Sequence, residues 1–209
     1  MKAEIIEIFP DNPDDRKIQQ VVDCLKNGGV IIYPTDTVYS MGCDSRNVKA
    51  VEKLCKLKNV KPSQNRFSIV CSDLSDISVY AKVPNVAFRL MKKLLPGPYT
   101  FILPTTGDLP KILQTNRKTI GIRVPDHNIP QQIVKALGSP IITTSLKDDI
   151  DDIQEYPNEI EVIFDQNQDK VDIIIDSGWC GIIPSTVIAC TDNDQVELVR
   201  EGLGEFSDD

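Results

Sequence analysis

Apolar residues recur along this chain with two different periods, and the period switches several times. From residue 14 onward Ile18, Val21, Val22 and Leu25 fall three and four apart, the spacing of one helix face. Pro13 suits a first helical position, with Asp11 or Asn12 as cap and Asp14 and Asp15 in the first turn, and Asn27-Gly28-Gly29 stops the pattern. A second helix is expected from Asn47, with Val48, Val51, Leu54 and Cys55 inward. A third follows a cap at Asn85 over VAFRLMKKLL and ends at Pro96-Gly97-Pro98, and a fourth runs from Pro130 over Ile133, Val134 and Leu137 to Gly138. Between them stand short apolar runs bounded by turn formers: AEIIEI (3–8), VIIY (30–33), FSIVC (67–71), YTFIL (99–103), TIGIRV (119–124) and IITT (141–144). VDIIID (171–176), STVIAC (185–190) and QVELVR (195–200) come later. Runs of this length and composition read as strands.

Helices and strands alternate too irregularly for a simple doubly wound fold. The expectation is a mixed α/β (α+β) architecture, a twisted mixed β-sheet of six or more strands with helices packed on its faces. The last three strands could complete that sheet or form a small separate unit. Three strands with few helices make a poor independent core, so one domain over residues 1–209 is favoured. Residues 147–157, rich in Asp and broken by Pro157, read as an acidic mobile loop.

Composition sharpens this picture little, but charge changes it. A hydrophobic share of 41% suffices for a sizeable core. No apolar run approaches the roughly 18 residues of a membrane span, and the N-terminus resembles neither a signal nor a transit peptide, so cytoplasm is the default expectation. The formal net charge of −8 hides a split: residues 1–147 hold 21 Lys and Arg against 13 Asp and Glu (+8), and residues 148–209 hold 2 against 18 (−16). Such asymmetry points to an anionic ligand for the basic part, to shielding by the acidic part, or to a solvated acidic surface.

The inventory of reactive side chains is narrow. Six cysteines form no CxxC pair and no zinc spacing, and suit reduced core thiols. The single histidine, His127, excludes a site built on several imidazoles; in its Pro-flanked turn it reads as solvent-facing. Chemistry is left to Lys, Arg, hydroxyls and backbone amides, the groups that hold phosphates and carboxylates. Three clusters offer them. Pro34-Thr35-Asp36-Thr37-Val38-Tyr39-Ser40-Met41-Gly42 follows a buried strand, where α/β sheets place ligands, although composition alone favours an ordinary strand-to-helix connection. Lys53, Lys56, Lys58, Lys61 and Arg66 form a basic stretch, of which Lys58, Lys61 and Arg66 lie in a loop and are the better ligand candidates. Pro184-Ser185-Thr186-Val187-Ile188 and Arg200-Glu201-Gly202 are weak signals taken alone.

Their order is not weak. VIIYPTDTVYSMGC, a helix, LK with a basic loop, LLPGPYTFIL, RKTIGIRVPDH, SPIITTS, PSTVI and VREG together resemble the YrdC-like family, whose best-known members are threonylcarbamoyl-AMP synthases; NVAFRLMK, PGPYTFIL and RKTIGIRVP look closest to its YciO-type branch. The resemblance implies a reaction of L-threonine, bicarbonate and ATP, usually with Mg2+, giving threonylcarbamoyl-AMP and pyrophosphate for modification of adenosine 37 in tRNA. By motif, Lys58 and Arg200 would act in catalysis. Thr35, Thr37, Lys61, Thr100, Arg123, Ser145, Ser185 and Thr186 would bind the amino acid and nucleotide, and no side chain is assigned as a metal ligand.

Two motifs depart from the synthase pattern. Where synthases carry KxR, this chain reads Lys58-Asn59-Val60-Lys61, and where they carry a Ser-x-Asn motif, it reads Ser145-Leu146-Lys147. A lysine has neither the guanidinium's fork nor the amide's acceptor. The alternative is therefore a YciO-type paralogue without efficient synthase activity, a nucleotide-binding protein or one that binds tRNA or double-stranded RNA. Sparse aromatics and the net acidity speak against sequence-independent RNA binding.

Overall fold

The computed structural model describes residues 2–106, 118–146, 156–191 and 195–206. Its elements in chain order are β1 (Glu4–Glu7), α1 (Asp15–Lys26), β2 (Val30–Tyr33), β3 (Ser40–Asp44), α2 (Val48–Leu57), β4 (Ser68–Val70), α3 (Ile77–Tyr80), α4 (Asn85–Leu94), β5 (Tyr99–Pro104), β6 (Thr119–Arg123), α5 (Asn128–Leu137), β7 (Ile141–Ser145), α6 (Ile160–Asn167), β8 (Ile173–Asp176), β9 (Thr186–Ala189) and β10 (Glu197–Arg200). Among the described residues no helix is long and apolar enough to cross a membrane. The proposed acidic loop at 147–157 lies outside the described residues up to position 155.

Helix boundaries follow their caps. α1 starts after Asp14, whose carboxylate accepts from the Arg16 amide at 2.8 Å, so the cap is neither Asp11 nor Asn12 and Pro13 stands just outside the helix. Asn47 caps α2 through the Ala50 amide, as its position suggested. α4 begins at Asn85 itself, after Pro84, and has no side-chain cap. His127 is half-buried rather than solvent-facing: its Nδ1 accepts from the Ile129 amide and caps α5, which makes Pro130 the third helical residue. Gly138 ends α5 at φ +69°, the left-handed conformation a C-terminal glycine supplies without strain.

The strands form one mixed sheet in the order β1-β8-β2-β3-β7-β4-β6-β5-β9-β10. The late strands complete this sheet and do not build a separate unit. β8 lies between β1 and β2, parallel to both, while β9 pairs parallel with β5 and carries β10 at the far edge.

Strand alternation sorts the side chains onto two faces. One face bears Val30, Ile32, Met41, Ile69, Phe101, Ile122, Ile142 and Ile174. It is covered by α2 through Val51, Leu54 and Cys55, by α4 through Ala87 and Met91, and by α6 through Ile163. The other bears Ile31, Tyr33, Val70, Ile141, Ile173 and Ile175, and carries α1 through Val21, Val22 and Leu25 and α5 through Ile133, Val134 and Leu137. The second layer is shorter than the sheet. α1 and α5 pack on each other over the β1–β8–β2 side and reach Ile141 and Val70 at the ends of β7 and β4, and the described helices leave the same face open over the rest of β4 and over β6, β5 and β9.

Candidate functional site

The open half of that face is a cleft of about 330 Å3, near the lower end for small-molecule sites. Its floor is made of the residues that alternation turns away from the helix-covered core: Ser40, Ser68, Gly121, Thr143, Ser145 and Thr100. Ser68 is paired with both Thr143 and Gly121, so small and hydroxyl side chains run across three adjacent strands. A Cβ at Gly121 would collide with the Ser68 side chain and lie 3.3 Å from Thr100 Cγ2, so the glycine keeps the floor low.

Arg123 is the deepest cation in the cleft wall. It is 6% exposed, and its Nη2 donates to Asp36 Oδ1 at 2.9 Å and to Thr37 Oγ1 at 3.0 Å. Asp36 Oδ2 accepts from the Asp126 amide, so both carboxylate oxygens are occupied. Thr35 donates to the Val38 carbonyl and therefore accepts from Thr37, which leaves neither threonine hydroxyl a proton for a ligand. Arg123 Nε, by contrast, is buried with no hydrogen-bond partner. A buried guanidinium N–H left unpaired is costly, and a ligand acceptor would satisfy it.

Thr100, Arg123, Ser145, Ser185 and Arg200 line the cleft together. Thr100 and Ser185 share a hydrogen bond at 2.8 Å, and Arg200 Nη2 donates to the Ser185 carbonyl at 2.7 Å. Thr35 and Thr37 stand behind the wall as supports for Arg123. Thr186 faces the opposite side of β9, where its hydroxyl donates to the Gly204 carbonyl and accepts from the Gly202 amide. Lys58, at the end of α2, donates to the Leu146 carbonyl at 3.3 Å, which places the two divergent motifs side by side. Lys61 is exposed at the start of a short 3-10 turn. Val60 follows Asn59, whose φ is +51°, and its side chain returns to the α2-side core.

Asn65, Arg66, Ser68, Ser40, Thr143, Thr144 and Tyr156 also line the cleft, and of these Arg66 and, within the Pro34–Gly42 cluster, Ser40 stood out in the sequence. Serine or threonine at alternate positions of otherwise apolar strands, as in Thr143 and Ser145, was the signal that could have found the others. Several other exposed cations lie outside the cleft. Lys82, Arg89, Lys92, Lys93 and Lys118 are exposed on α4 and beside it, and Lys53 is spent on Asp172 at 2.6 Å. No cluster of three His, Cys, Asp or Glu able to hold a metal occurs among the described residues. Burial raises the thiols of Cys180 and Cys190 to about 11, so neither is a thiolate nucleophile near neutral pH.

A family model named for Sua5, YciO and YrdC, and described as "Telomere recombination", matches residues 23–202. The chain is 44% identical to the protein YciO of Escherichia coli (strain K12), over 97% of each sequence. It is 31% identical to the threonylcarbamoyl-AMP synthase of Bacillus subtilis (strain 168), over 90% of this chain and 54% of the synthase. The crystal structure of E. coli YciO superposes with a TM-score of 0.88, covering 97% of both chains. P. abyssi Sua5 complexed with L-threonine superposes with a TM-score of 0.84 at 26% identity, over 95% of this chain and 57% of that one.

Proposed function

The chain belongs to the Sua5/YciO/YrdC family, and from that membership and the chemistry of the cleft we propose that it is a threonylcarbamoyl-AMP synthase-type nucleotidyltransferase linked to tRNA modification. One observation carries the reading: the buried Arg123, its Nε–H unpartnered, on a floor of hydroxyl donors. Such a site favours an anion, and the solved P. abyssi relative is a complex with L-threonine. In the proposed reaction the threonine amine takes up CO2, the species in equilibrium with bicarbonate, as a carbamate. The carbamate oxygen attacks the α-phosphorus of ATP, and the bond to pyrophosphate breaks. The step calls for placement of two anions and for charge stabilisation, not for a protein nucleophile. Thr100, Ser145 and Ser185 would contact the substrates, Arg123 the amino acid, and Arg200, Lys58 and Lys61 the phosphates. With no carboxylate cluster among the described residues to seat it, Mg2+ would be held by the ATP phosphates and partly neutralise them.

Incubation with ATP, Mg2+, L-threonine and labelled bicarbonate tests this. Pyrophosphate release with a labelled adenylate supports it, and the absence of both at high protein concentration sinks it. With activity in hand, Lys58→Ala should lower it at least tenfold; unchanged kinetics would refute the placement of the phosphates.

A second reading, a YciO-type paralogue that binds RNA, draws on the cations outside the cleft. Arg89, Lys92 and Lys93 share one exposed face of α4 with Phe88, and form no ion pair among the described residues. That reading expects affinity for tRNA or double-stranded RNA that falls steeply with salt and is lost in Lys92→Glu/Lys93→Glu.

A further inference from the structure

One fully buried tyrosine sets the direction of hydrogen bonding on the cleft floor. Tyr33 ends β2 on the face shared with the cleft, beneath no open water. Its hydroxyl donates to Thr143 Oγ1 at 2.7 Å. Thr143, on β7, lines the cleft and is 5% exposed. A threonine hydroxyl carries a single proton. With the Tyr33 proton directed at its oxygen, Thr143 keeps its own proton, and no acceptor among the described residues takes it.

The arrangement is built rather than incidental. Gly42, opposite Thr143 in the β3–β7 ladder, lets this region pack closely: a Cβ there would collide with the Ile142 carbonyl and the Ile141 side chain and lie 3.1 Å from Tyr33 Cε1. Burial pushes the Tyr33 phenol up to about 12, so it stays a donor throughout the physiological range. The Arg123 guanidinium is close enough to oppose that shift. Arg123 has its own uncommitted donor, Nε–H, in the same cleft.

We propose that Tyr33 is a positioning residue: by donating to Thr143 Oγ1 it commits the Thr143 proton to the cleft, where it and Arg123 Nε–H together receive a carboxylate oxygen of the bound amino acid. This rests on the reading of the cleft as an amino-acid and nucleotide site, but it is tested by binding and not by turnover. Thr35 and Thr37, whose protons are both spent inside the protein, are excluded from this role, whereas Thr143, which no motif singled out, takes it.

The test is calorimetric titration of the full chain with L-threonine and with L-threoninamide, its neutral analogue. The wild type should prefer L-threonine. Thr143→Val should weaken L-threonine binding roughly tenfold, the order expected for a hydrogen bond to a charged group, and leave the amide nearly unaffected. Tyr33→Phe should lose part of the same preference, the double variant should be no worse than Thr143→Val alone, and Thr143→Ser should restore binding. A structural defect would weaken both probes together and would not be rescued by serine. Wild-type affinity in Tyr33→Phe and Thr143→Val, equal losses for the two probes, or failure of the wild type to bind L-threonine would each overturn the proposal. Failure of the adenylate assay with the L-threonine preference intact would overturn the proposed reaction instead.

Discussion

The face of the sheet that carries α1 and α5 has two halves built on the same backbone. Over β1, β8 and β2 it presents Ile6, Ile173, Ile175, Ile31 and Tyr33, all sealed by the two helices. Over β7, β4, β6 and β5 the same alternation presents Thr143, Ser145, Ser68, Gly121 and Thr100, and no described helix covers them. Each aliphatic side chain buried on the covered half contributes on the order of 1.5–3 kcal/mol. The hydroxyl half contributes little of that kind and leaves donors exposed in a concave wall. A single sheet thus stabilises at one end and binds at the other, and the division falls where the helix layer stops. The face beneath, held by α2, α4 and α6, is apolar over most of its length and does not share this division.

The largest effect should come from the one charged group sunk into the open half. Arg123→Met removes the partner of a nearly buried carboxylate, Asp36, and should cost roughly 3–5 kcal/mol in urea unfolding while abolishing L-threonine binding. A stable variant that still binds would show that the open half does not depend on its buried cation. A pair of substitutions then separates the halves. Leu25→Ala, under the covered half, should cost about 2–5 kcal/mol in stability and leave the affinity for L-threonine unchanged. Ser68→Val, on the open half, should do the reverse, with little loss of stability and at least a tenfold loss of affinity. If both variants lose both properties, the division does not exist.

The smallest effect concerns His127, which caps α5 where the helix layer gives way to the cleft. Burial lowers its pKa, against the opposing pull of Asp36 and Asp126. The folded state therefore holds the neutral form down to lower pH than the unfolded chain, and the unfolded state binds more protons in that window. Stability should accordingly rise with pH through the window just below the ordinary histidine range, and fall on acidification through it. His127→Asn, which keeps a capping acceptor, should flatten that part of the stability–pH profile. An unaltered profile would mean that another group is responsible.

Much of the covered half was legible in the sequence, because its elements combine a clear period with local punctuation. VIIY between Gly29 and Pro34 and the Ile18-Val21-Val22-Leu25 face needed no tertiary information. β3 did not announce itself. Ser40-Met41-Gly42-Cys43-Asp44 has no β-branched residue and sits in a hydroxyl-rich stretch, and only pairing on both sides, with β2 and β7, makes it a strand. α6 was missed because Ile160, Val162, Ile163 and Phe164 read equally well as a short apolar run. At the site, the resemblance of motifs found Thr100, Arg123, Ser145, Ser185 and Arg200, which do converge. It also put Thr186 with them, although the pleat turns it to the far face. Tyr33, Ser68 and Thr143 escaped, since a hydroxyl within a strand means nothing until the strand's neighbours and its exposed face are known. The charge split pointed to a cation-rich pocket, yet among the described residues the exposed cations Lys82, Arg89, Lys92, Lys93 and Lys118 lie on and beside α4, outside the cleft.

The insertion of β8 between β1 and β2 has a consequence for how the chain is made. Glu4 and Ile31 lie close in sequence, yet both are in register with Ile173, which leaves the ribosome long after them. At synthesis rates of about 5–20 residues per second, the first strand has no partner for roughly ten to thirty seconds. Through that interval the VIIY edge is bare and apolar on both sides, a surface that other nascent chains or a chaperone can meet before its own partner arrives. The two termini are thereby interlocked: loss of the last quarter of the chain would not trim an appendage but would unseat the first strand, leaving the helix-covered half without its central staple.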